Sequence, residues 1–90
     1  MAESSGKDRV LPTFRQSKAA RQLIDWKQSD LAEASGVTRA TIERFEGGKM
    51  QPQLRTLEKI ADAFERRGIV FTNGDSPGVK LNRDRAIIPT

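Results

Sequence analysis

The stretch QSDLAEASGVTRATIERFEGG, Gln28 to Gly48, places one glycine between two short runs that each carry helical patterning. Leu31, Ala32 and Ser35 fall at the spacing of one buried stripe, and Ile42 and Phe45 at that of a second. Gly36 suits the position after a helix because it enters the left-handed conformation without a side-chain clash. Thr38 is a capping residue for the second run, with Val37 just before it. A stop at Gly36 and a start at Thr38 leave room only for a tight turn. A helix over Gln28–Ser35 and another from Thr38 through Glu46 must then cross steeply and share a core.

Ala32, Gly36 and Ile42 supply what a helix-turn-helix unit requires. These are a small residue where the helices touch, a glycine in the turn and a branched apolar residue beneath the second helix. Upstream, PTFRQSKAARQLIDW places Thr13 three residues before Gln16, a capping box that starts a first helix. Gln16, Ala20, Leu23 and Ile24 form its inward stripe, and Ser17 and Lys18 read as exposed surface. Trp26, the only tryptophan, is expected to pack between the first two helices.

Downstream, GGKMQPQ is a loop, and Leu54, Leu57, Ile60, Ala61 and Phe64 repeat at helical spacing until Gly68. Ile69 to Thr72 favour strand, NGDSPG is turn chemistry, and Val79 to Leu81 form the candidate return strand. Such a hairpin is marginal alone, so it must pack on the helices or on a second copy of itself. The organisation expected is an arm over 1–10, a helical domain over 11–68, a hairpin over 69–82 and a tail over 83–90.

With 90 residues the chain is one small domain without room for a deep substrate cavity. Charged residues make up 31% and hydrophobic ones 36%, as in ordinary globular proteins. The absence of cysteine and histidine removes disulfides, thiolate or imidazole metal sites and the familiar catalytic triads. We expect no enzyme, no metal and no cofactor. No apolar run approaches a membrane span and the start lacks a signal-peptide core, so a cytoplasmic location without membrane contact is expected. The net charge of +4 and a sequence pI near 10.0 permit attraction to a polyanion without demanding it.

WKQSDLAEASGVTRATIERFEGGKMQPQLRTLEKIADAF resembles the helix-turn-helix family of phage lambda repressor and Cro, also called the xenobiotic response element (XRE) family. The likeness runs from about Phe14 to Gly68. It includes Gln28, Asp30 to Ala32, Gly36 and Val37, TIERFEGG, Pro52 and TLEKIADAF. It implies a mainly α fold, a lambda repressor-like DNA-binding domain of four core helices, here followed by a short C-terminal β-hairpin. It further implies a DNA-binding regulator, normally dimeric, whose third helix enters the major groove.

With Ile42 and Phe45 turned inward, Ala40, Glu43, Arg44 and Gly47 point outward, flanked by Arg39 and Thr41. Arg39 and Arg44 are candidates to read guanine, Ala40 to meet a thymine methyl, and Glu43 to orient Arg39 or accept from a cytosine amine. The bland alternative for Arg39 is a weak exposed pairing with Glu43. The resemblance makes Gln28 a phosphate contact, with Lys27, Thr38, Thr41 and Lys49 as further phosphate candidates. It also implies a partly buried ion pair between Arg21 and Glu46. Two positions depart from the family pattern: Lys27 and Gln53 stand where a Ser or Thr cap is usual, so the second helix is expected to fray or to borrow Ser29.

Two functions of different class remain open on sequence alone. One is a dimeric regulator on a palindromic double-stranded DNA operator; the other is a protein-interaction module such as an antitoxin or antiactivator, with another regulatory protein as partner. Ile69, Val70, Phe71, Thr72, Val79 and Leu81 form the candidate dimer interface, and packing of the hairpin on its own fourth helix is the alternative.

Overall fold

Thr13 opens the first helix as its sequence demands. Its hydroxyl accepts from the Gln16 N–H at 3.2 Å, and Gln16 Oε1 accepts from the Thr13 N–H at 2.9 Å, so the capping box is closed in both directions. The computed structural model describes residues 9–73 and 76–82; the tail expected over 83–90 and most of the arm lie outside them. The elements are α1 (Phe14–Leu23), α2 (Gln28–Ser35), α3 (Arg39–Glu46), α4 (Leu54–Glu65), β1 (Ile69–Thr72) and β2 (Gly78–Leu81).

Between α2 and α3 the backbone obeys its local chemistry. Gly36 has φ 78° and its N–H donates to Ala32 O at 2.9 Å, which ends α2. Thr38 Oγ1 accepts from the Thr41 N–H at 3.3 Å and starts α3. The start of α2 is held differently from expectation. A lysine ammonium has no lone pair to offer as a cap, and instead Asp30 Oδ2 accepts from the Lys27 N–H at 2.8 Å. The helix borrows the return half of a capping box from Asp30 rather than a hydroxyl from Ser29.

Leu31, Ile42, Phe45, Ile60 and Phe64 are almost wholly excluded from solvent and form the centre on which the four helices meet. Trp26, between α1 and α2 in the chain, also reaches α4. Its ring lies 5.7 Å from that of Phe64 on α4, and the Arg67 guanidinium covers it at 5.5 Å. Leu23, expected on the inward stripe of α1, is 46% exposed. The buried stripe is Gln16, Ser17 and Ala20, which turns Leu23 to the edge of the helix.

The two strands pair antiparallel, Ile69 opposite Leu81 and Phe71 opposite Val79. Side chains alternate across a strand, so these four share the inner face and leave Val70, Thr72 and Lys80 outside. Ile69 and Phe71 are buried, and Phe71 meets Phe64 edge-on with ring centroids 5.7 Å apart. Gln16 Nε2 donates to Thr72 O at 2.7 Å and to Gly78 O at 3.0 Å, fastening the turn end of both strands to α1. The hairpin therefore completes the chain's own core. Among the six residues expected at a dimer interface, Ile69 and Phe71 are corrected: their side chains are spent inside, where each contributes about 1.5–3 kcal/mol of burial.

Arg9 and Val10, assigned to the arm on sequence, both contact the helical domain. Arg9 Nη2 reaches Asp62 Oδ1 at 2.6 Å and Glu65 Oε1 at 3.0 Å, and Val10 packs against the core. Burial alone would lower the Arg9 pKa, but the hydrogen bonds and charges of the two carboxylates outweigh it and raise the value.

Candidate nucleic-acid interface

Glu46, the last residue of α3, is 1% exposed and would be costly to bury unpaired. Arg21 answers it from α1, with Nη2 2.7 Å from Oε1 and Nε 3.1 Å from each carboxylate oxygen. Ser17 Oγ donates to Oε2 at 2.6 Å, and Gln28 Nε2 donates to Oε1 at 3.3 Å. Arg21 Nη1 also donates to Trp26 O at 3.1 Å. One carboxylate thus ties α1, the start of α2 and the end of α3 together. Ser17, expected at the surface, is fully buried because it supplies the hydroxyl this carboxylate needs.

That junction fixes the exposed side of α3. Arg39, Ala40, Glu43 and Arg44 are all exposed, while Ile42, Phe45 and Glu46 on the other side are buried. No ion pair joins Arg39 to Glu43: among the described residues the ion pairs are Arg9 with Asp62 and Glu65, and Arg21 with Glu46. Arg39, Arg44, Lys27 and Lys49 accordingly have no carboxylate partner there. Thr38 and Thr41 are engaged with one another, Thr38 Oγ1 donating to Thr41 Oγ1 at 3.0 Å.

Arg39 lines a polar depression of about 490 Å³ together with Arg21, Trp26, Lys27, Gln28 and Ser29. The start of α2 supplies unsatisfied N–H groups and the positive end of a helix dipole to this depression. Lys27 and Arg39 add full charges. The arrangement can hold an anionic oxygen beside α3 while the exposed side chains of α3 meet a flat, hydrogen-bonding edge. Lys49, by contrast, stands in the loop after α3 and is not part of the depression.

Two positioning residues are absent from the candidates that the sequence suggests. Arg66 Nη2 donates to Ala34 O at 3.0 Å, and Arg67 stacks on Trp26, so neighbouring arginines after α4 hold the last turn of α2 and the tryptophan that precedes the helix. Their signal is the ERR that closes the fourth helical run, but a last-turn basic pair ordinarily reads as dipole compensation. Among the described residues no helix is long and apolar enough to cross a membrane. No curated protein matches the sequence significantly. A family model described as Helix-turn-helix matches residues 18–68, more than half of the chain, spanning α2, α3, α4 and most of α1. With its glycine turn, capped third helix and four-helix core, the chain belongs to that family of DNA-binding helix-turn-helix regulators of the XRE type.

Proposed function

We propose that the protein is a sequence-specific transcriptional regulator, a repressor, that binds a palindromic operator as a homodimer with α3 in the major groove. The observation that carries this reading is the two-sidedness of α3. Its apolar side and Glu46 are locked into the core, and its other side presents Arg39, Ala40, Glu43 and Arg44 without ion-pair partners among the described residues. Arginine held rigidly at a groove can bond guanine O6 and N7 together, and Ala40 is small enough to accept a thymine methyl. Lys27, Gln28 and Lys49 supply phosphate contacts that set the register and orientation.

Dimerisation is expected from the size of one domain. A few phosphate contacts and two or three base contacts bind loosely, whereas a rigid pair reads half-sites about 34 Å apart. The hairpin remains the interface we favour, through its outer face and strand edges, now that Ile69 and Phe71 are committed inside. Truncation after Gly68 would remove part of the core, so Val70→Lys is the cleaner variant. Loss of the dimer in sedimentation supports the hairpin interface; an unchanged dimer excludes it.

Selection of bound fragments from a random duplex pool tests the function. A recovered palindrome with at least one G·C pair per half-site is expected, and a pool that shows no enrichment over non-specific binding overturns the reading. With about three or four phosphates per subunit, log K of the dimer should fall with log salt at a slope of roughly −5 to −7.

A further inference from the structure

α1 carries a second group of cations in its N-terminal half. Phe14, in its first turn, packs on the loop that leaves α3: a Cβ built on Gly48 would lie 3.5 Å from the Phe14 ring. Over the same ring stand the Arg15 guanidinium at 5.1 Å and the Lys18 ammonium at 5.9 Å from the centroid. Both are exposed, as is Lys49 one residue beyond Gly48. None of the three has a carboxylate partner among the described residues, where the acids in ion pairs serve Arg9 and Arg21. The aromatic face accepts the two cations but does not neutralise them.

Like charges gathered at one place cost the free protein stability, and a polyanion relieves that cost. Through Phe14 the cluster abuts the loop that leaves α3, the helix proposed to enter the groove. α3 is eight residues long, about 12 Å, comparable with the width of the major groove that would receive it. Along α1, the buried Arg21–Glu46 junction separates the Phe14 end from the depression holding Lys27 and Gln28. Two cation groups therefore bracket the junction that fixes α3.

Resting on the DNA-binding reading, we infer that Arg15 and Lys18, seated on Phe14, form a second phosphate-binding surface that contacts the duplex backbone beside the loop after α3. Phe14 is the platform: it anchors the first turn of α1 against Gly48 and keeps both cations within 6 Å of its ring centroid. The surface carries no sequence information. It raises affinity for every duplex alike and adds to the salt dependence.

The test uses the full chain and a mixed-sequence duplex of about three helical turns, because non-specific binding is almost wholly electrostatic. Arg15→Gln/Lys18→Gln keeps helix-favouring side chains on exposed positions, and circular dichroism confirms the fold before titration. Each lost phosphate contact removes about 0.9 from the slope of log K against log salt, so the variant should flatten it by about 1.8 per bound subunit. Lys80→Gln, which removes one exposed charge on β2, should leave the slope unchanged. An unaltered slope in the double variant overturns the inference, and so does an equal flattening per charge in Lys80→Gln, which would mean that net charge alone is read. Failure of the parent reading looks different, since the wild-type chain itself would then bind the duplex with no salt dependence.

Discussion

Nη2 of Arg21 lies 2.7 Å from Oε1 of Glu46, and the glutamate side chain retains 1% of its exposure. The pair joins α1 to the end of the helix that faces outward, so the orientation of α3 depends on a charge that the core itself contains. Burying an ion pair is a weak source of stability, but breaking one leaves an uncompensated charge behind.

Glu46→Ala should therefore destabilise the fold by about 3–5 kcal/mol, because Arg21, Ser17 and Gln28 all lose their common acceptor. Urea unfolding monitored by tryptophan fluorescence measures it, Trp26 being in the core's rim. A midpoint that falls without a change in slope identifies a loss of stability; a midpoint that stays put would show that the junction holds no net energy.

Gly36 offers a second measurement with a different cause. A Cβ there would meet no atom within 4 Å, yet φ is 78°. Any cost of Gly36→Ala is then backbone strain rather than crowding, about 1–2 kcal/mol for an L residue in the left-handed region. Gly36→Asn should cost less, since asparagine visits that region more readily. Equal stability of the parent chain and both variants would mean that the turn relaxes out of the left-handed conformation.

The helix-turn-helix unit is legible in the sequence because its signals are local. Gly36 and Thr38 act on bonds within their own turn, and Ile42 and Phe45 repeat at a spacing that fixes which side of α3 faces out. What stays hidden depends on partners far along the chain. Gln16 reads as part of a stripe, while its amide in fact reaches carbonyls 56 and 62 positions away. Ser17 reads as surface because nothing near it suggests Glu46, 29 positions on. Leu23 goes the other way, since a heptad step from Gln16 places it at the margin of the stripe where packing, not periodicity, decides burial. The hairpin is plain from its turn residues, but its docking partner is not, because a second copy and the chain's own helices offer equally apolar cover.

Gln16 also gives a prediction that tests the hairpin's attachment. Its Nε2 is the donor shared by Thr72 O and Gly78 O. Gln16→Glu replaces that donor with an anionic acceptor facing two carbonyl oxygens, and should cost more than Gln16→Ala, which only empties the site. Hydrogen exchange at the β1 and β2 amides should rise in both variants, more in the glutamate. If exchange in the hairpin is unchanged while the helices loosen, the clasp serves the capping box of α1 alone.

The base reading proposed for α3 is separable from what stabilises the helix. Arg39 and Arg44 are exposed and outside the ion pairs, so Arg39→Ala and Arg44→Ala should leave unfolding within about 0.5 kcal/mol of the parent chain. Against the selected operator each should cost about 1–3 kcal/mol of binding and relax preference at one base pair per half-site. Lys27→Ala should instead weaken operator and unrelated duplex alike and reduce the salt slope by about 0.9 per subunit, as a phosphate contact does. The decisive comparison is the ratio of specific to non-specific affinity, measured by anisotropy at one salt concentration. A ratio that falls for the two arginine variants and holds for Lys27→Ala assigns sequence reading to the outward side of α3. A ratio preserved in all three would move the reading to another part of the molecule.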